Sequence, residues 1–337
     1  MSHVDLSQDP DALQRIFAGL RLAEPGEPVV AEPLPGGVSS GIYRVALRSG
    51  DWCVKQALPR LKVAKEWRVP VERVFHEIEW LRTAHALVPG HVPKVVGEDR
   101  ATGSFVMPML GSDHRNWKTL LLAGEIAPGV ARQAGDVLGR IHAATADRPH
   151  VAERFDTGAL FHALRLEPYL EEAARVHPHV ADRLLELVAR TARTRRVLVH
   201  GDVSPKNILV GPQGPVLLDA ECAWFGDPAF DLAFCLNHFL LKAAHRPEDA
   251  ARLMLCFQGF ALAYAAHVDW ELAASVDARA AALLPALALA RIDGKSPVEY
   301  LGATTRERVR DGALALLAAP PAMLDGLAQQ WTQEFKP

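Results

Sequence analysis

The stretch LVHGDVSPKNILV, residues 198–210, sets Asp202 between a His-Gly pair and Asn207. Asp219 ends the apolar run PVLLD, seventeen residues after Asp202, and Glu221 follows it by two. Taken alone, Asp202 could be a turn residue between two buried strands. Taken with the others, it suits phosphoryl transfer: one carboxylate orients an attacking hydroxyl and accepts its proton, while an amide oxygen and a second carboxylate hold Mg2+ against nucleotide phosphates. Hard oxygen donors suit Mg2+ and do not suit zinc. Alternate residues at a strand end point the same way, so Asp219 and Glu221 are expected to reach the metal together.

Lys55, in the strand-like run WCVKQALP, has apolar neighbours. A lysine there must leave the core or find an anion, and a nucleotide phosphate and a helix glutamate would both serve. Upstream, LPGGVSSGIYRV can form a hairpin over phosphates, with Gly36 and Gly37 allowing close backbone approach, although any β-turn reads the same way.

These residues need elements to hold them. The first hundred residues carry short β-type runs, PVVAEPL, IYRVALR and WCVKQAL, separated by turn signals. A helix is expected from about Pro70 to Leu87, where Val71, Val74, Ile78 and Leu81 recur at helical steps. VPKVVGE and SFVMPML complete a unit of five strands and one helix. After Gly111 the pattern turns Ala/Leu-rich and helical, interrupted by the strand-like ILVG and PVLLDAE. Strands first and helices later predict an α+β chain of two lobes with a cleft between them, residues 1–110 and 111–337.

Composition narrows the partners. A formal net charge of −3 and the lack of a basic stripe argue against nucleic acid. The four cysteines form no C-x-x-C pair, and the first segment has no apolar signal core, so a cytoplasmic setting is expected. No uncharged apolar run reaches the roughly 18 residues of a membrane span, so no membrane partner is expected. The histidines lack H-E-x-x-H or similar spacing, which speaks against a transition-metal site.

At HGDVSPKN and LLDAECAWFGDPAFDLA the chain resembles the aminoglycoside phosphotransferase and choline kinase-like superfamily, small-molecule relatives of the protein kinases. The resemblance implies a protein-kinase-like fold, with a small antiparallel N-lobe that binds ATP and a larger helical C-lobe that binds Mg2+ and a small-molecule acceptor. It implies Asp202 as the catalytic carboxylate and Asn207, Asp219 and Glu221 as metal ligands. Glu77 becomes the partner of Lys55, with Glu72 as the runner-up. Ser39 and Ser40 become phosphate donors, and backbone groups of Met107, Met109 and Leu110, in FVMPML, read the adenine edge. Asp231, His142 and His200 are given structural roles around the catalytic loop; Lys206 touches the transferred phosphoryl group or is solvated.

The runs VKQALP, VERVFHE, HVPKVV and ECAWFG look like those of 5-methylthioribose kinases, which favours a sugar-like alcohol as acceptor. Those kinases are longer and typically carry Ser where this chain has Asn207. Trp224, Arg291 and Lys295 are candidate acceptor residues; paired cations there favour a neutral or anionic acceptor over a polycationic aminoglycoside. Aminoglycosides and amino alcohols remain the alternative acceptors. A nucleotide-binding pseudokinase is the alternative class, and its mark would be loss of Lys55, Asp202 or Asp219. None is lost. No A-P-E landmark follows the metal segment, which speaks against a protein kinase.

Overall fold

The structure is a computed structural model that describes residues 5–35, 39–59 and 70–335. Gly36 and Gly37 lie outside the described residues. The chain divides into two compact units, residues 1–114 and 115–337.

The first unit is built on a five-stranded antiparallel sheet, β1 (Glu32–Pro33), β2 (Ser40–Leu47), β3 (Gly50–Ala57), β4 (Gly97–Asp99) and β5 (Ser104–Pro108), in the order β1-β2-β3-β5-β4. Its hairpin of β2 and β3 turns through Gly50, whose φ of +137° is a conformation L side chains rarely adopt. The register sets Ile42 opposite Lys55 and Val45 opposite Trp52. One helix, α1 (Pro10–Gly19), goes beyond the sequence reading; Asp9 caps it by accepting from Ala12 N. Its Ala12, Leu13 and Phe17 are buried with Val29, Tyr43, Val45 and Val54. Helix α2 (Arg73–Leu87) buries Val74, Ile78 and Leu81 as the periodicity predicts, and buries Arg73 and Glu77 as well. The Arg73 guanidinium donates to Ser39 O at 2.5 Å, Leu58 O at 2.9 Å and Pro70 O at 2.8 Å. It therefore ties the chain entering β2 to the chain leaving β3.

The second unit is mainly helical. Ala273–Asp293 is long and apolar enough to cross a membrane, but two-thirds of it is buried among neighbouring helices, the packing of a core helix. The short strands matter most for chemistry. Val197–Val199 pairs with Trp224–Gly226, setting Val199 opposite Trp224, and Ile208–Gly211 pairs with Gly214–Leu217, setting Ile208 opposite Leu217. The loop 200–207 and the loop 218–223 thus share a strand pair at each end. They lie side by side because both ends of both loops are fixed.

Candidate active site

In the first unit, Lys55 Nζ lies 2.7 Å from Glu77 Oε1, with both side chains at least nine-tenths buried. Glu72 is exposed at the start of α2. The helix register explains the choice. Glu77 falls on the same face as Val74, Ile78 and Leu81, and Glu72 precedes the first turn.

Ser39 and Ser40 are buried, at 7% and 2% exposure, and Ser40 lies within β2 opposite Ala57. The backbone N–H of Met109 donates to Asp51 O at 2.9 Å, and Met107 lies opposite Cys53 in the same ladder. Hydrogen-bonded and non-bonded pairs alternate in an antiparallel ladder, so the Met107 and Met109 amides face β3. The Pro108 carbonyl faces away from it, and the Leu110 N–H has no partner among the described residues. Pro108 O and Leu110 N–H are therefore the backbone groups of this segment without a backbone partner among the described residues.

In the second unit the catalytic-loop candidate hangs from Asp231. This buried carboxylate, in the first turn of the helix Pro228–His245, accepts from His200 N at 2.7 Å and Gly201 N at 2.8 Å. His142 Nε2 approaches the same carboxylate at 3.3 Å and its Nδ1 meets Tyr264 OH at 2.9 Å. His200 is fixed in one tautomer. Its Nδ1 accepts from Asp202 N at 3.1 Å, so its Nε2 carries the hydrogen and donates to Leu218 O at 3.1 Å. Burial pushes the His200 pKa down, against the pull of Asp231 and Asp202, so the ring is neutral. Between them, Gly201 has φ +78°, and a Cβ there would stand 2.5 Å from Cys222 O. Only glycine lets the two loops approach this closely.

Asp202 is 2% exposed, and its two oxygens differ. Oδ2 faces Arg165 Nη2 at 2.8 Å, Lys206 Nζ at 3.1 Å and Asn207 Nδ2 at 2.8 Å. Oδ1 is buried with no hydrogen-bond partner among the described residues. Burial raises the pKa of this carboxyl, but Arg165 and Lys206 outweigh burial and leave it below the ordinary value. It is therefore ionised near neutrality, a hydrogen-bond acceptor more than a strong base.

Arg165 was not among the sequence candidates. It sits on a π-helical segment, His162–Glu171, where Nε donates to Gly201 O at 2.6 Å and Nη1 to Leu164 O at 2.7 Å. A signal was present: an arginine between Leu164 and Leu166 in an apolar run, the same anomaly that singled out Lys55.

Asp219 and Glu221 lie beyond the strand Gly214–Leu217, so the alternation expected for a strand end does not apply. Asp219 adopts φ +69° instead, a left-handed conformation that Asp tolerates better than most residues. Asp219 is half-buried and Glu221 is buried at 9% exposure. Asn207 Nδ2 is committed to Asp202 O and Oδ2, at 3.0 and 2.8 Å, so the amide flip is fixed and Oδ1 is its remaining acceptor. Among the described residues no cluster of three or more His, Cys, Asp and Glu side chains forms a metal-binding group. Two carboxylates and one carboxamide oxygen are nonetheless the donor set that suits Mg2+, which takes few protein ligands.

The three acceptor candidates differ in burial and partners. Trp224 is a core residue at 2% exposure, stacked on Phe161 with centroids 4.4 Å apart. Lys295 is exposed and paired with Glu167 Oε1 at 2.7 Å. Arg291 is half-buried, donating to Ser296 and to Tyr169 OH, the latter at 3.4 Å.

Residues 30–254 match the APH phosphotransferase enzyme family. A methylthioribose kinase of Klebsiella pneumoniae (strain 342) is 28% identical over 273 residues, covering 73% of this chain and 68% of the relative. A Plasmodium vivax ethanolamine kinase superposes with a TM-score of 0.57 at 13% identity, over 90% of this chain and 86% of that one. A choline kinase from Streptococcus pneumoniae gives 0.50 at 16%, over 92% and 99%. These likenesses establish the α+β, two-lobed, protein-kinase-like fold. The chain belongs to the APH phosphotransferase enzyme family and is an ATP-dependent small-molecule kinase.

Proposed function

We propose that the protein transfers the terminal phosphoryl group of ATP to a hydroxyl of a sugar or sugar-like alcohol, with Asp202 as the residue that holds that hydroxyl. The observation carrying this reading is the asymmetry of Asp202. Three donors occupy Oδ2, while Oδ1 remains a buried, ionised acceptor. A hydroxyl donating to Oδ1 is oriented for attack and can release its proton there as the new P–O bond forms and the bond to the departing ADP oxygen breaks. Lys206 is exposed beside Asp202, where it can meet the transferred group. Lys55, held by Glu77, positions nucleotide phosphates, and Pro108 O with Leu110 N–H reads the base. Asn207, Asp219 and Glu221 would hold Mg2+. When bound, that ion would neutralise charge on the nucleotide phosphates. The chain's own part is alignment more than proton abstraction.

The methylthioribose kinase relatives support a sugar-like acceptor. The four cysteines are free and buried, which supports a cytoplasmic setting. The test is acceptor-stimulated ADP release across methylthioribose, other sugars and sugar acids, amino alcohols and aminoglycosides. The reading expects stimulation by a sugar-like member. Stimulation by aminoglycosides or amino alcohols alone would replace it with the alternative acceptor class.

A further inference from the structure

On the helix Pro228–His245, residues 231, 234, 238 and 242 follow at three- and four-residue steps and so share one face. The stripe starts at Asp231, which carries the loop backbone next to Asp202. The Arg165 guanidinium stands 5.9 Å from the Phe234 ring, and the His238 ring is 5.8 Å from Phe234. At 1.5 Å per residue, His238 lies about 10 Å along the axis from Asp231, within reach of a sugar-sized molecule.

Lys242 is the anomaly at the far end. Its side chain is 0% exposed, and Nζ has no hydrogen-bond partner among the described residues. Its contact is the face of Tyr300, 5.2 Å away, whose hydroxyl is also buried without a partner, as is Arg291 Nε. A buried ammonium without a carboxylate costs several kcal/mol. Charged and titratable groups from several elements surround it. Lys118 comes from the helix Trp117–Leu122, Arg291 from Ala273–Asp293, and Cys235 and His238 from the helix of Lys242 itself. The loop after Ala273–Asp293 contributes Tyr300 and one carboxylate, Glu299, which Lys118 engages. Burial first, then Lys118 and Arg291, pushes the Lys242 pKa down to about 7. Lys206, beside Asp202, is close enough to act on His238 too.

We propose that His238, Arg291 and Tyr300, with the charge of Lys242 beneath them, form a site for an anionic group, carboxylate or phosphate, on the acceptor. The phosphorylated metabolite is then a negatively charged member of the sugar-like class. The inference rests on the reading of Asp202 as the holder of the acceptor hydroxyl. An anion at this site supplies the counter-charge the lysine lacks, and its binding is coupled to protonation of Lys242.

The test uses the full chain labelled at lysine Cε, with the Lys242 resonance assigned by its loss in Lys242→Met. Its pH midpoint is followed alone and with ribose, ribonate, ribose 5-phosphate and inorganic phosphate. A rise with ribonate identifies a carboxylate site, a rise with the phosphate compounds a phosphate site, and ribose is expected to leave the midpoint in place. No rise with any anion, or an equal rise with ribose, overturns the proposal. In parallel, Lys242→Met is expected to raise KM for the anionic acceptor about tenfold while leaving KM for ATP unchanged and the thermal midpoint equal or higher. An unchanged acceptor KM with a lower thermal midpoint marks a merely structural lysine and contradicts the site. The titration needs no turnover, so a rise in midpoint supports the anion site even where no acceptor stimulates ADP release, the result that counts against the kinase reading itself.

Discussion

Arg165 Nη2 lies 2.8 Å from Asp202 Oδ2 while its Nε donates to Gly201 O at 2.6 Å. One guanidinium thus holds the carboxylate and the backbone that carries it. Both groups are buried, and burial works against the charge of each; the pair persists because each supplies the other's counter-charge.

Removing Arg165 should cost both stability and rate. Arg165→Met leaves buried Asp202 with Lys206 as its remaining cation, so a loss of about 3–5 kcal/mol is expected by urea unfolding. The turnover of the remaining folded enzyme should fall about 100-fold, as for a misplaced reacting group. Arg165→Lys keeps the charge without the planar fork and should recover stability more than rate. Equal turnover in wild type and Arg165→Met would contradict the positioning role.

Glu77→Gln leaves Lys55 without its buried carboxylate at 2.7 Å. The expected result is a loss of about 3–5 kcal/mol and about a tenfold rise in KM for ATP. Exposed Glu72, changed to Gln, should alter stability by no more than about 0.5 kcal/mol. Comparable effects of the two substitutions would mean that the pair does not serve the nucleotide.

The contrast between these two residues shows what was legible in the sequence. Periodicity and apolar neighbours identify a strand lysine and a helix face, and the three central strands and helix α2 fall where alternation and helical spacing put them. Asp202, Asn207 and Asp219 fall in short loops between strands, as the apolar runs on either side of them suggest. Arg165 and Lys242 were not read, although each is a cation in an apolar run. Their neighbours come from distant segments, and spacing along the chain does not report which segments meet. The expectation for Asp219 and Glu221 failed in geometry because the strand ends before them, and a left-handed residue at 219 resets the direction of the chain.

His200 and His238 are both depressed in pKa, by burial first. The folded protein keeps them neutral, whereas the unfolded chain protonates them near pH 6.5. Stability is therefore complete above that value and falls as the pH drops through it towards the folded-state values. The slope is up to about 1.4 kcal/mol per pH unit for each ring. Urea midpoints measured across this range should fall with acid, and less steeply in His200→Gln. An unaltered slope in the variant would mean that His200 is already charged in the fold.

Asp219→Ala tests the metal assignment. Mg2+ should strengthen ADP binding to the wild type, and the variant should lose at least about 1.4 kcal/mol of that gain by calorimetry. Binding of ADP without Mg2+ should stay the same. A full Mg2+ effect in the variant would move the metal to other ligands.

Asp202→Asn is the most direct measurement, since it keeps the shape of the side chain and removes the charge from the acceptor oxygen. Acceptor-stimulated ADP release should fall by about 10²–10⁴-fold, with nucleotide affinity retained. Turnover like that of the wild type in Asp202→Asn, with an acceptor that stimulates the parent enzyme, would contradict the role of Asp202 as the group that holds the attacking hydroxyl.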